Sequence, residues 1–343
     1  MSIVTIIGAG MMGSALAFPA AENGHEVRLV GTHLDRDIIE ACRKTGRHPK
    51  FAADFPAHVR YFHIEDMKTA LDGADMLIGG VSSFGVDWFG EAVLPFVPAA
   101  LPVLTVTKGL LDGEDGSVTT YPEFWQRALA PKQLCLNAVG GPCTSYELVA
   151  HDPTVVTFCG ADLGVLAKMK KIMQTPYYHI ALSADLRGVE NAVALKNAYA
   201  LGVTLSLGVN ERVNGLGAKP HYNSQAALFG QGVKEMRALM KIFGGTEDSL
   251  DVGIGDLYVT VFGGRTRITG TLLGRGLSRD AVMKELEGVT LESNVITTRM
   301  ARAVRKAAAL KKLDASQFPL LLFTDDVLNN GAKADIPWDA FVR

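Results

Sequence analysis

The chain has 343 residues, of which 48% are hydrophobic and 20% charged, and its formal net charge is −2. This length is sufficient for two domains with substantial cores, and the near-neutral charge gives no reason to expect a nucleic acid or a membrane surface as partner. Four scattered cysteines without a C-x-x-C spacing predict neither a disulfide framework nor a zinc site, and no metal is expected. With no predicted membrane span and no secretory signal, we expect a cytoplasmic protein.

The first thirty residues predict one βαβ unit. Residues 2–7 form a β-branched apolar run that is long enough for one buried strand. Residues 8–13 carry the spacing G-x-G-x-x-G and lead into apolar residues at helical spacing, which stop at Asn23 and Gly24. Residues 26–30 predict a second strand, so the glycine turn lies between a strand and a helix.

This placement of the glycines indicates dinucleotide binding, with a purely structural turn as the alternative. Gly8 lets the chain turn sharply off the strand, Gly10 lets a pyrophosphate approach the backbone, and Gly13 lets the helix pack closely on the sheet. The helix that begins at Met11 and Met12 presents free N–H groups and the positive end of its dipole to that pyrophosphate. We therefore expect NAD or NADP as the cofactor.

The end of the second predicted strand leaves the choice between NAD and NADP open. An NAD-selective site usually has a carboxylate there for the ribose 2′-hydroxyl. Gly31, Thr32 and His33 occupy that place in this chain, with Asp35 and Arg36 further on. His33 or Arg36 could contact the 2′-phosphate of NADP, and solvated loop residues are the alternative.

The elements that follow predict an α/β fold with a Rossmann-type doubly wound parallel sheet. Further strands are predicted at residues 74–81, 102–107, 134–139, 155–159 and 177–180, and helices at 37–44 and 88–97. Residues 1–185 therefore form the predicted dinucleotide-binding domain.

The remaining residues, 186–343, predict an all-helical substrate and catalytic domain. Their segments are long, rich in alanine and leucine, and separated by glycine loops. Helices are predicted at 189–207, 222–243, 249–262, 278–286 and 292–310, followed by one helix and a tail within 318–343.

A lysine stands in the middle of the apolar face of the first of these helices. Val189, Val193 and Ala200 share that face with Lys196. Desolvation lowers the pKa of a lysine toward neutrality, which suits a group that must give and take a proton near pH 7. The alternative is a lysine that extends along its own stem to solvent. Asn197 could hydrogen-bond a substrate oxygen or be exposed.

A third informative stretch is residues 253–267. Asp256 and Thr260 are four residues apart and so share a helical face, where Asp256 could hold the Lys196 amine in place. The alternative for Asp256 is an N-cap of a helix that begins at Leu257. Arg265 follows two glycines and could clamp a phosphate in bidentate fashion, or be a surface charge.

Together these motifs resemble the NAD(P)-dependent glycerol-3-phosphate dehydrogenases, in their order and spacing and over most of the chain. The motifs are the glycine turn Gly8-x-Gly10-x-x-Gly13, Val-Thr-Lys-Gly at 106–109, Gly141-Pro142, Glu190-Asn191-x-x-Ala194-Leu195-Lys196-Asn197 and Gly255-Asp256-Leu257-x-x-Thr260. The resemblance implies interconversion of sn-glycerol 3-phosphate and dihydroxyacetone phosphate, a homodimer through the helical domain, and a place in glycerophospholipid and carbohydrate metabolism.

The resemblance also implies a role for individual residues. It makes Lys196 the catalytic acid–base, with Lys108 and Asp256 as further catalytic residues. The substrate-binding set is Lys108, Asn197, Thr260, Arg265 and Thr266. The cofactor-binding set is Gly8, Gly10, Met11, Met12, Gly13, His33, Ser82, Lys108, Gly141, Arg265 and Glu292.

Three positions depart from the family pattern. Thr266 stands where the family usually has asparagine, and Gln225 and Gln231 stand where basic residues are usual. These changes leave room for another polyol phosphate or a less charged substrate. The alternative enzyme is a related reductase acting on a 2-keto or 2-hydroxy substrate. A dinucleotide-binding regulator, which has no need of a buried lysine, is the non-enzymatic alternative.

Overall fold

The computed structural model describes residues 1–289 and 291–342, and the chain divides into two compact units. The first unit comprises Met1–Lys108 and Tyr121–Leu186, and the second comprises Gly109–Thr120 and Arg187–Arg343. The main boundary therefore lies one residue from the predicted one. The prediction differs in assigning Gly109–Thr120 to the dinucleotide-binding domain.

The first unit is built on an eight-stranded sheet of mainly parallel strands, which confirms the Rossmann-type α/β fold. The strands are β1 Ile3–Ile7, β2 Glu26–Val30, β3 Val59–Phe62, β4 Met76–Gly79, β5 Val103–Thr105, β8 Leu136–Gly140, β9 Thr154–Cys159 and β10 Tyr178–Ser183. Their order in the sheet is β10-β9-β8-β5-β4-β1-β2-β3, and β8 and β9 pair antiparallel, so β9 and β10 run opposite to the other six strands. The link between β8 and β9 holds only a five-residue helix, and a short link suits an antiparallel neighbour.

Eight helices accompany this sheet in the described residues. They are α1 Met11–Ala15, α2 Ala17–Glu22, α3 Arg36–Thr45, α4 Met67–Leu71, α5 Val86–Ala92, α6 Tyr121–Ala128, α7 Ser145–Val149 and α8 Leu163–Met173. Residues 59–62, which are not among the predicted strands, form the edge strand β3. This strand pairs with β2 alone and has no fully buried residue, so it lacks the apolar run that marks the central strands.

The second unit is helical apart from one hairpin, which confirms the all-helical class of its main part. Its helices are α9 Leu186–Asn214, α10 Tyr222–Phe243, α11 Glu247–Phe262, α12 Gly264–Arg275, α13 Arg279–Glu285, α14 Glu292–Ala309 and α15 Pro319–Asn329. Helix α12 is not among the predicted helices, because its residues fall in one of the predicted glycine loops. Helix α9 is long and apolar enough to cross a membrane, but 94% of its most apolar window is buried inside the protein, as expected for a core helix.

The hairpin of β6, Leu110–Asp112, and β7, Val118–Thr120, belongs to the second unit because its side chains and carbonyls are held there. Leu110 and Val118 are 1% and 2% exposed and join the core that α9, α10, α11, α14 and α15 share. Arg302 on α14 pairs with Asp112, with 2.6 Å between Nη2 and Oδ1. Arg299 Nη1 donates to the Leu110 carbonyl at 3.0 Å. Sequence patterns of strands and helices carry no signal for such long-range pairing.

Candidate active site

The glycine turn after β1 has a geometric reason for each glycine. Gly8 has φ +111°, and a Cβ there would lie 2.7 Å from the Gly80 carbonyl oxygen. A Cβ at Gly13 would lie 2.1 Å from the Gly8 oxygen, so helix α1 can approach the strand only with glycine at this position. A Cβ at Gly10 would meet nothing within 4 Å. The turn is therefore closed on the protein side and open at Gly10, which fits a cofactor pyrophosphate.

The other predicted cofactor residues of the first unit follow the carboxyl ends of strands. Ser82 comes after β4, Lys108 after β5 and Gly141 after β8. The Lys108 ammonium donates to the Gly141 carbonyl at 3.3 Å, so these two positions are in contact. His33, beyond β2, is exposed, and its ring centroid lies 5.6 Å from that of Trp88. Met11 and Met12 are half-buried at the start of α1. Ligands of open α/β sheets bind at this edge.

The catalytic candidates of the second unit form one buried group on α9 and α11. Lys196 Nζ donates to Asp256 Oδ1 at 2.9 Å and to Thr260 Oγ1 at 2.7 Å. The Lys196 and Asp256 side chains are only 10% and 3% exposed. Thr260 Oγ1 donates in turn to the Asp256 carbonyl at 2.7 Å, which fixes its orientation on α11. The buried ammonium is thus paired with a carboxylate and held against α11. This excludes the alternative in which Lys196 extends along its own stem to solvent.

The rest of α11 excludes the alternative role of Asp256. The helix begins at Glu247, and its N-cap is Thr246, whose hydroxyl accepts from the Ser249 N–H at 3.2 Å. Asp256 therefore lies inside the helix, one turn before Thr260, and is not an N-cap. The spacing of four residues places both side chains on the face that meets Lys196.

The other predicted site residues of the second unit lie on α9 or in the first turns of α12 and α14. Asn197 is 7% exposed and makes no side-chain hydrogen bond in the described part of the chain. Arg265 is the second residue of α12, exposed, and forms no ion pair within residues 1–289 and 291–342. Thr266 follows it and is 9% exposed. Glu292, predicted to bind the cofactor, is the first residue of α14.

Gln231 has a structural partner that the sequence interpretation missed. Gln231 Nε2 donates to Glu235 Oε1 at 2.7 Å, and Tyr199 on α9 donates to Glu235 Oε2 at 3.2 Å. The first N–H groups of α15, from Leu320 and Leu321, donate to the same carboxylate at 2.8 and 3.0 Å. Gln231 thus takes part in the contact by which Glu235 connects α9, α10 and α15. A glutamine in place of the usual basic residue at this position therefore does not by itself indicate a different substrate. A glutamate four residues after it, on an otherwise apolar face, was the signal for this contact.

Replacing Glu235 by glutamine is expected to weaken the pH dependence of stability. Burial raises the pKa of Glu235 from 4.5 to about 7. Between these values the folded protein keeps a proton that the unfolded chain has released, so stability falls as the pH rises, by about 2 to 3 kcal/mol between pH 5 and pH 8. Urea unfolding at the two pH values measures this difference. Glu285→Gln, at an exposed position of α13, is the control, and an identical pH trend in Glu235→Gln and the parent would contradict the assignment.

No cluster of three or more histidine, cysteine, aspartate or glutamate side chains that could hold a metal ion occurs within residues 1–289 and 291–342.

Comparisons with known proteins cover nearly the whole chain. Residues 3–164 match the family model "NAD-dependent glycerol-3-phosphate dehydrogenase N-terminus", and residues 185–338 match the corresponding C-terminus model. The chain is 35% identical to the NADP(+)-dependent glycerol-3-phosphate dehydrogenase of Archaeoglobus fulgidus, over 83% of this chain and 84% of the relative. It is 27% identical to the glycerol-3-phosphate dehydrogenase [NAD(P)+] of Syntrophotalea carbinolica, over 97% and 99% of the two chains. The crystal structure of glycerol-3-phosphate dehydrogenase from Coxiella burnetii has the same fold, with a TM-score of 0.80, 24% identity and 99% and 98% coverage.

Proposed function

The chain belongs to the NAD-dependent glycerol-3-phosphate dehydrogenase family of NAD(P)-dependent oxidoreductases, and we propose that it interconverts sn-glycerol 3-phosphate and dihydroxyacetone phosphate with Lys196 as the general acid and base. The observation that carries this proposal is the buried Lys196 ammonium, which is bonded to Asp256 and Thr260.

Lys196 would move the proton that accompanies reduction of the ketone. Bound NAD(P) supplies or accepts the hydride at C2 of the substrate. The Lys196 ammonium donates a proton to the C2 oxygen in the reduction direction and takes it back in the oxidation direction. Asp256 and Thr260 accept two hydrogen bonds from the ammonium and so fix the position of its nitrogen.

Separate residues would hold the two ends of the substrate. Asn197 offers its amide to a substrate hydroxyl, because its side chain is not used elsewhere in the described residues. Arg265 and Thr266 lie in the first turn of α12, whose N-cap Gly263 makes no side-chain capping bond. A guanidinium beside the N-terminal N–H groups of a helix suits a phosphate. Lys108 would be the second cation, which stabilises the developing alkoxide.

The cofactor would be held by the glycine turn and the edge residues of the first unit. The open space at Gly10, the start of α1 at Met11 and Met12, and the positions of His33, Ser82 and Gly141 support this part of the proposal. Glu292 and Arg265 are proposed as cofactor contacts from the second unit. Either NAD or NADP fits the family.

The setting of the enzyme is also part of the proposal. None of the four cysteines, all of which lie in the described ranges, is in a disulfide, which agrees with a reducing cytoplasm. A homodimer through the helical unit is supported by exposed apolar side chains there, including the ring pair Tyr258 and Phe262. The substrate pair would place the enzyme in glycerophospholipid and carbohydrate metabolism.

Loss of the Arg265 guanidinium is expected to raise KM for dihydroxyacetone phosphate by about 10- to 100-fold, because charge-assisted bonds to the phosphate are lost. The decrease in absorbance at 340 nm is measured for the parent and Arg265→Ala, with NADH and with NADPH. KM for unphosphorylated dihydroxyacetone should not change. Arg279→Ala is the matched control, since Arg279 is also exposed at a helix start.

The same assay tests the activity itself. Oxidation of neither cofactor by the parent protein would contradict the proposed reaction. Turnover by the parent together with an unchanged KM in Arg265→Ala would contradict only the role of Arg265 in phosphate binding.

A further inference from the structure

The backbone N–H and carbonyl of Ala9, in the middle of the glycine turn, are both bonded by side chains that lie outside the turn. Its N–H donates to Asp35 Oδ2 at 3.1 Å, and its carbonyl lies 3.2 Å from His48 Nε2. The Ser14 hydroxyl donates to the same carbonyl at 3.1 Å. Asp35 and His48 lie 26 and 39 residues away from Ala9 along the chain. The conformation of the turn is therefore stabilised by side chains from outside the glycine motif.

Asp35 joins this turn to the end of the neighbouring strand. Its Oδ2 accepts from the Thr32 N–H at 2.9 Å and from the Thr32 hydroxyl at 2.8 Å, in addition to the Ala9 N–H. Strands β1 and β2 pair directly, with Ile7 opposite Val30. One carboxylate oxygen therefore ties together the two loops that leave the carboxyl ends of adjacent strands.

His48 is fixed as a neutral hydrogen-bond donor. Its Nδ1 accepts from the Lys50 N–H at 3.1 Å, which places the proton on Nε2 and makes that nitrogen the donor to the Ala9 carbonyl. The side chain is 1% exposed, its ring lies 4.6 Å from the Phe51 ring, and burial lowers its pKa from 6.5. A neutral imidazole adds no charge to the turn and serves only to orient the Ala9 carbonyl.

We propose that Asp35 and His48 are positioning residues, which orient the two peptide groups on either side of the Ala9 Cα so that the glycine turn has the shape that binds the pyrophosphate of the dinucleotide. This inference rests on the proposed function. It explains why a carboxylate lies beside a turn that binds an anion. As a charge alone, Asp35 would oppose binding of the cofactor, but as an acceptor for three donors it orders the loop that binds it. The role concerns the pyrophosphate, which NAD and NADP share.

Asp35→Ala is expected to raise the dissociation constants of NADH and NADPH by a similar factor, roughly tenfold. Isothermal titration calorimetry on the full chain without substrate measures both constants. Asp35→Asn keeps an acceptor oxygen and should recover most of the affinity. It also serves as the second variant if Asp35→Ala unfolds, which thermal melting without cofactor reveals. His48→Gln keeps a donor for the Ala9 carbonyl and should bind more tightly than His48→Ala.

Asp37→Ala is the matched control, because Asp37 is exposed in the first turn of α3 and makes no side-chain bond within the described residues. Removing its charge should leave both constants unchanged or slightly lower. Unchanged or tighter binding by Asp35→Ala would overturn the proposal. Weaker binding of only one dinucleotide would also overturn it, since Asp35 would then select the cofactor. Failure of the parent protein to bind either dinucleotide would contradict the proposed function instead.

Discussion

Lys196→Met is expected to lower kcat by roughly 10²- to 10⁴-fold, because the variant has no group to transfer the proton of the C2 oxygen. Methionine keeps the length and the apolar stem of lysine but has no ammonium. The decrease in kcat is measured at 340 nm with dihydroxyacetone phosphate. The dissociation constant of NADH, measured by calorimetry, should stay unchanged, since the proposed cofactor cradle lies in other residues.

Two further variants show whether a loss of activity is specific. Lys234→Met, on the exposed face of α10, should keep full activity. Lys196→Met also leaves the Asp256 carboxylate buried without its cation, so the double variant Lys196→Met/Asp256→Asn separates loss of chemistry from loss of folding. Substantial turnover by the folded double variant would contradict the role of Lys196 as acid and base.

Asp256→Ala is expected to destabilise the protein by about 3 to 5 kcal/mol, because it leaves the Lys196 ammonium buried and uncompensated. Urea unfolding measures this loss against the parent. Asp256→Asn keeps an acceptor for the ammonium and should lose less stability. In this variant the alkaline limit of kcat should move to lower pH, since a negative neighbour no longer favours the charged lysine.

The exposed Asp251 provides the control for this prediction, because it lies on the same helix and its replacement by alanine should change neither stability nor the pH profile. If Asp256→Ala were as stable as the parent, Asp256 would not be the group that mainly stabilises the buried Lys196 ammonium. An Asp256→Asn enzyme with an unaltered pH profile would show that Asp256 does not set the protonation of Lys196.

Local patterns were sufficient to predict the parts of the site that depend on spacing within one element. The separation of Asp256 and Thr260 predicted a shared helical face, and both residues bond Lys196. The glycine spacing predicted a turn between a strand and a helix, and Gly8 and Gly13 are where a Cβ would collide with backbone. Periodicity and sterics act within a few residues, so a single sequence contains this information.

The features that sequence patterns missed depend on distant partners. Asp35 was passed over because a carboxylate was sought directly at the end of β2, whereas the chain bends back and brings it to Thr32 and Ala9. Glu235 accepts from residues of three helices, and its partners on α15 lie 85 and 86 residues away. Helix α12 begins at Gly264, directly after Gly263, although glycine has a weak helix propensity. Burial of Leu272 and Leu273 later in the helix outweighs that cost.

The hairpin of residues 109–120 sets a condition on the order of synthesis. Arg302, which pairs with Asp112 of the hairpin, lies 190 residues after it in the chain. At a rate of synthesis of about 5 to 20 residues per second, Arg302 is therefore synthesised roughly 10 to 40 s after Asp112. During that time the sheet of the first unit can be completed, while Leu110 and Val118 still lack the helices that cover them. The core around Leu110 and Val118 therefore stays incomplete until residues 292–329, which form α14 and α15, have been synthesised.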